Sequence, residues 1–288
     1  MGSSTRRSAA LAAWLACGAV QAVQLDANIG VTADADGGSG LDLDFGIAPT
    51  EHLSFNLGAG HATGPDQAGN LSGTTLAGGA LYHDDRFGVA LDYDRFDDPS
   101  NYRVATLGAR GWFEIGELRV TLLARQRDMG IELRLDLPRQ TLRREMEFSA
   151  FGAGAQLSFT TDEFSVYGMA LNYDYDDDFQ RFLDLPNAPL AERRPRIEAL
   201  YGSFILQAQG AIDRQYGLGG EYSFGRHALA LDVMRLHDAV ADASSTSVGL
   251  TWHWFRSSHL DWSVTGGVID SAIVSDMAFV SVALGLHN

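Results

Sequence analysis

The chain of 288 residues contains no lysine: every basic residue other than histidine is arginine. It has a single cysteine, Cys17, so neither a disulfide framework nor a thiolate metal cluster is available to it. Beyond the N-terminus no uninterrupted apolar run approaches the ~20 residues that a membrane-crossing helix needs, which excludes a helical membrane protein. Proline is scarce at 7 residues, and with 45% apolar residues the chain is too hydrophobic for disorder. Acidic residues outnumber basic ones 37 to 21, a net charge of −16. That balance argues against nucleic acid as a partner, because phosphate binding needs a basic surface.

Residues 1–22 carry Arg6 and Arg7, then an apolar stretch from Ala9 to Val20, then small residues ending at Ala22. Charge, apolar run and cleavage site come in the order of a secretory signal peptide, so the expected domains are a signal over 1–22 and one mature domain over 23–288. Trp14 precedes Leu15, Ala16 and Cys17, and its bulk suits a lipoprotein signal poorly. Cleavage after Ala22 removes the only thiol.

From Val23 onward the apolar residues recur with a period of two. Leu25, Ala27, Ile29 and Val31 alternate with Asp26, Asn28 and Thr32, and Leu41, Leu43 and Phe45 alternate with Asp42 and Asp44. The same rhythm runs through Phe87, Val89, Leu91 and Tyr93, through Val248, Leu250, Trp252 and Trp254, and through Val280, Val282, Leu284 and Leu286. A helix needs spacings of three and four, and these segments show none. About fourteen segments alternate: 23–34, 39–48, 52–62, 72–83, 86–97, 101–113, 116–128, 146–160, 163–176, 200–224, 226–238, 245–256, 258–269 and 276–287. Parity is unbroken from Leu200 to Phe224, which reads as one long strand and makes the count even; twelve and sixteen are the alternatives.

The connections alternate as well. Short ones fall at 48–51, 83–85, 114–116, 160–162, 225–226 and 256–258, and mostly longer ones, including 63–71, 129–145, 177–199 and 239–244, fall between them. Within 129–145, Ile131, Leu133 and Leu135 alternate with Glu132, Arg134 and Asp136, which reads as strands rising above a membrane surface or as a solvated hairpin. Short turns at one end and long loops at the other, with strict alternation, are what transmembrane β-barrels show. On these residues the mature chain resembles the bacterial outer-membrane β-barrel class over its whole length. Members usually end in an aromatic residue with apolar residues at alternate positions before it. Leu286, Leu284, Val282 and Val280 fit, whereas the last residue is Asn288. The resemblance implies an all-β, antiparallel, up-and-down barrel in the outer membrane with both termini periplasmic. It also implies the barrel-assembly machinery, outer-membrane lipid and lipopolysaccharide as partners.

Fourteen strands are wider than barrels that side chains fill and narrower than the 16–18-stranded porins. A channel for small hydrophilic solutes is therefore expected, by analogy of architecture alone. The face opposite the apolar set offers Asp42, Asp44, Asp92, Asp94, Asp174, Asp213, Glu221 and Asp232 as pore-lining residues, with Arg110, Arg119 and Arg125 as a basic strip. A basic strip facing many carboxylates either sets a field across a pore or forms salt bridges along its wall. The acidic excess favours cations.

No cofactor is implied. The acidic run from Asn172 to Asp178 lacks the glycine and the distal glutamate of a helix–loop–helix calcium site. It reads instead as a loop bridged to lipopolysaccharide by divalent ions. No G-x-S-x-G occurs and the histidines lack ligand spacing, so catalysis is not indicated. Outer-membrane proteases of the omptin type place an Asp pair opposite an Asp–His pair; here Asp97 with Asp98 and His237 with Asp238 are six strands apart, a spacing unlike that family's. A barrel without transport, acting in adhesion or envelope assembly, is the other alternative. Its partner contacts would fall on the 177–199 segment with its Arg193, Arg194 and Arg196, which equally fits a constriction of the lumen. Mass spectrometry of the protein from a membrane fraction should find Val23 as the mature N-terminus; an intact Met1 would refute the signal peptide.

Overall fold

The structure is a computed structural model that describes residues 23–35, 37–66, 69–98, 102–137, 140–176, 211–239, 242–257, 259–271 and 277–287. The first seven strands are β1 (Gln24–Asp34), β2 (Ser39–Thr50), β3 (Leu53–Asp66), β4 (Gly69–His83), β5 (Phe87–Asp98), β6 (Tyr102–Ile115) and β7 (Leu118–Leu137). The next seven are β8 (Gln140–Thr160), β9 (Phe164–Tyr175), β10 (Ile212–Phe224), β11 (His227–Asp238), β12 (Ala243–Ser257), β13 (Leu260–Ser271) and β14 (Met277–His287). Each pairs antiparallel with its neighbours in the chain, and β1 pairs with β14, so the sheet is a closed barrel of fourteen strands.

Alternation decides which face meets what. Leu25, Ile29 and Val31 on β1, Leu41, Leu43 and Phe45 on β2, and Phe87, Val89, Leu91 and Tyr93 on β5 are all exposed, and they form one continuous outer surface. Large apolar side chains exposed all round a closed barrel are stable only against lipid, which makes this a transmembrane barrel. Near the short turns the outer face carries an aromatic girdle. Its ring contacts include Tyr82 with Phe87, Phe159 with Phe164, and Trp254 with Trp262. Towards the other end, Tyr93, Phe151 and Tyr216 are the last outward aromatics on their strands, and Arg95, Glu147 and Arg214 follow them within four residues. On β8 the apolar band runs from Phe159 to Phe151, about 20 Å along the axis at the usual rise and tilt.

The turns follow from their residues. Gly116 and Gly225 occupy the first central position of two-residue hairpins, with φ of 61° and 63°. Glu117 and Arg226, which follow them, are not among the positive-φ residues, so both hairpins are of the II′ type. At the opposite end β7 and β8 continue to Leu137 and Gln140, well past their neighbours, as the alternation of 131–137 anticipated.

The strand expected over 200–224 is described only in part. β10 begins at Ile212, and residues 200–210 lie outside the described residues, as does the whole of 177–199. A bulge between Ile212 and Arg214 marks the end of the regular register.

The two faces predict opposite tolerances. Leu43→Arg, on the lipid face, should destabilise the folded barrel by about 2–4 kcal/mol, whereas Asp44→Arg, one residue away and inward, should cost far less. Denaturant titration of the barrel in lipid vesicles measures both, and equal losses would contradict the assigned faces.

Candidate functional site

The candidate site is the lumen, and its wall is not uniform. On β1, β2, β3 and β5 the inward positions carry Asp26, Asn28, Asp42, Asp44, Asn56, Asp92 and Asp94 between small residues. Water-facing carboxylates remain solvated, so this part of the wall is hydrophilic. β6 and β7 add Arg110, Arg119, Arg125 and Arg127 on the same face. Arg119, near the short-turn mouth, is engaged: its Nε donates to Glu114 Oε1 at 2.8 Å and its guanidinium lies 5.6 Å from the Trp112 ring centre. Arg127 stacks at 4.9 Å over Tyr173.

Further round, the half of the lumen wall remote from the short turns is apolar. Met129 of β7, Phe148 of β8 and Leu171, Tyr173 and Tyr175 of β9 form a buried cluster, with Leu171 fully inaccessible and Met129 only 2% exposed. Reading the sequence missed this cluster. Its signal lay in β9, where Tyr167, Met169, Leu171, Tyr173 and Tyr175 make the odd face as apolar as the even one.

That cluster reverses one assignment. On β9 the odd residues point inward, so Asp174 and Asn172 share the outward face with Phe164 and Val166, and Asp174 stands opposite the outward Phe151. Asp174 therefore does not line the lumen; it lies near the end of β9 that is remote from the short turn, at the edge of the apolar band. Asp213 is also displaced. It sits in the bulge before Arg214, which turns its side chain outward to meet His237 Nδ1 at 2.7 Å. Asp42, Asp44, Asp92, Asp94, Arg110, Arg119, Arg125, Glu221 and Asp232 all fall on the inward face. Of the two pairs that a protease reading would need, Asp97 faces outward in an ion pair with Arg95, and His237 faces outward with Asp213.

Polar contacts between strands tie the inner wall together. The Tyr167 hydroxyl of β9 donates to Asp232 Oδ1 of β11 at 2.7 Å, passing over Gly219 of β10. At the seam His287 of β14 places Nδ1 2.7 Å from Asp26 of β1 and Nε2 3.0 Å from Asp261 of β13. Among the described residues no group of histidines and carboxylates could hold a metal ion.

No family model matches the sequence, and no curated protein matches it either. Solved structures match the fold. The CymD monoaromatic hydrocarbon channel superposes with a TM-score of 0.53 at 10% identity, over 92% of this chain and 88% of that one. A loop L8 deletion mutant of OmpT, an outer membrane protein of Vibrio cholerae, gives 0.52 at 11% identity, over 92% and 98%. At such identities the likeness is one of fold, and the fold is that of bacterial outer-membrane β-barrels.

Tyr167→Phe removes the donor that reaches Asp232, and the refolded barrel should lose about 1 kcal/mol in denaturant titration. Asp232→Asn, which keeps an acceptor oxygen, should lose less. Equal stability of Tyr167→Phe and the unsubstituted protein would show that the bridge contributes nothing.

Proposed function

We propose that the protein is an outer-membrane channel through which small hydrophilic solutes diffuse passively, with a preference for cations. The observation that carries this reading is the hydrophilic inner wall of β1 to β5, where carboxylates and amides line one side of a closed barrel. Lipid-facing carboxylates would each cost several kcal/mol, whereas the same groups facing a wet lumen attract cations. The arginines of β6 and β7 stand beside this wall and supply the opposite charge, so the field runs across the lumen rather than along it. Membership of the outer membrane, with both termini on the periplasmic side, belongs to the same proposal. So do the barrel-assembly machinery, outer-membrane lipid and lipopolysaccharide as partners. The fold shared with the CymD channel supports it. The chain's own residues provide no catalytic step in this reading.

One observation favours a second reading. The dry cluster around Leu171 faces the lumen, and an apolar core inside the barrel suits a barrel that does not transport but acts in adhesion or envelope assembly.

Single-channel recording in a planar bilayer under a salt gradient separates the two. The channel reading predicts steady ohmic openings with a reversal potential on the cation side. A folded barrel that passes no current would favour the second reading, and an anion-side reversal potential would refute the cation preference.

A further inference from the structure

The strand register produces an alignment that no stretch of sequence displays. On the inward face Asp26, Asn56, Asp92, Arg125 and Tyr173 stand on β1, β3, β5, β7 and β9. Between them, directly paired with the residue on either side, lie Gly46 of β2, Gly79 of β4, Gly108 of β6 and Gly152 of β8. Every second place in this nine-strand row is therefore a glycine. Rows of paired residues run across tilted strands, so this one climbs as it goes round. It starts two residues inside β1 at the short-turn mouth and ends two residues from the far end of β9.

Three of the four glycines are occupied by a neighbour. A Cβ on Gly79 would lie 2.5 Å from Asn56 Oδ1, and one on Gly152 would lie 2.7 Å from the Tyr173 ring. A Cβ on Gly108 would collide with the Asp92 carboxylate. Asn56 and Asp92 thus lie sideways on the wall over the next strand's backbone instead of standing up into the lumen. Facing outward on the same strand, Gly111 is different, because nothing comes closer than 3.9 Å to a Cβ there.

We propose that Gly79 and Gly108 are positioning residues of the channel. By receiving Asn56 and Asp92 they flatten the polar part of the row, on β3 to β6, against the wall. A hydrated solute slides past this amide and this carboxylate without meeting either as a projecting group. The inference rests on the channel reading for its functional meaning, and on the packing alone for its geometry.

The decisive variant is Gly108→Ala. A methyl group there displaces the far end of a flexible side chain, so the barrel still folds and Asp92 rotates into the lumen. Single-channel current should fall and the reversal potential should move further to the cation side, because a carboxylate now projects into the path. Gly111→Ala should change neither quantity. Adding Asp92→Ala to Gly108→Ala should return the conductance to that of Asp92→Ala alone. A Gly108→Ala channel equal to the unsubstituted one would overturn the proposal, as would a deficit that survives loss of the carboxylate. The unsubstituted protein in the same bilayer tests the channel reading separately. A crystal structure of Gly108→Ala reports the Asp92 rotamer even if no current flows: an unmoved side chain defeats the proposal, and a rotated one upholds the positioning role while the channel reading falls.

Discussion

Everything in this barrel depends on the pairing of β1 with β14. In hydrocarbon an unpaired backbone N–H or C=O has no water to turn to, and each such group costs several kcal/mol. A sheet of thirteen ladders with two open edges would expose two rows of these groups to lipid. The fourteenth ladder, from Asp26 opposite His287 to Asp34 opposite Phe279, removes both edges together. Side chains reinforce the seam from the lumen side. His287 lies within hydrogen-bonding distance of Asp26 on the first strand and of Asp261 on the thirteenth, so the last strand is held from both sides at its end. Closure fixes the even strand number and puts Gln24 and His287 at one mouth.

Once the sheet is closed, the outside has a single requirement and the inside has several. Lipid accepts only apolar side chains through the band, so the strands present aliphatic residues outward in the middle, with aromatics near the short turns on strands such as β8, β9, β12 and β13. Charge returns as soon as the band ends. Arg103 reaches over Gly130 to Glu145 and Glu147 at 2.7 and 2.6 Å, outside the barrel and beyond the last outward aromatics. The lumen is under no such uniform demand. One side is wet and acidic on β1 to β5, another carries the arginines of β6 and β7, and a third is dry around Leu171.

This difference explains how much could be read without coordinates. On β2 the contrast between Leu41, Leu43 and Phe45 and the intervening Asp42 and Asp44 is sharp enough to assign both faces, and the strand lies as expected. The same holds for β5. On β9 the contrast fails, because Tyr167, Met169, Leu171 and Tyr173 are at least as apolar as the lipid-facing Phe164, Val166 and Ala170. The polar residues that seemed to mark the inner face, Asn172 and Asp174, stand on the outward face, Asp174 opposite Phe151 at the far edge of the band. Asp213 misled for another reason. A bulge shifts parity by one residue, and nothing in the composition of residues 211–215 announces it. Strand number and the outer surface were legible because one solvent dictates them; the inner surface was legible only where it is wet.

The inward glycines follow from curvature. Side chains on the outside of a closed sheet diverge, while those on the inside converge, so equal side chains on every strand would crowd the lumen. Alternating a full side chain with glycine along a row halves the number that must fit. It also gives each remaining one a place to lie down. Tyr167 and Asp232 show the same solution in another row, where both lie over Gly219 from opposite sides and meet in a hydrogen bond. Asp261 and Asn28 converge on Gly285 in the same manner at the seam. The glycines are scattered in the chain and come into alignment only through the register. The wall that a solute meets is therefore specified by pairs of residues on different strands, and a carboxylate is described incompletely without the glycine beneath it.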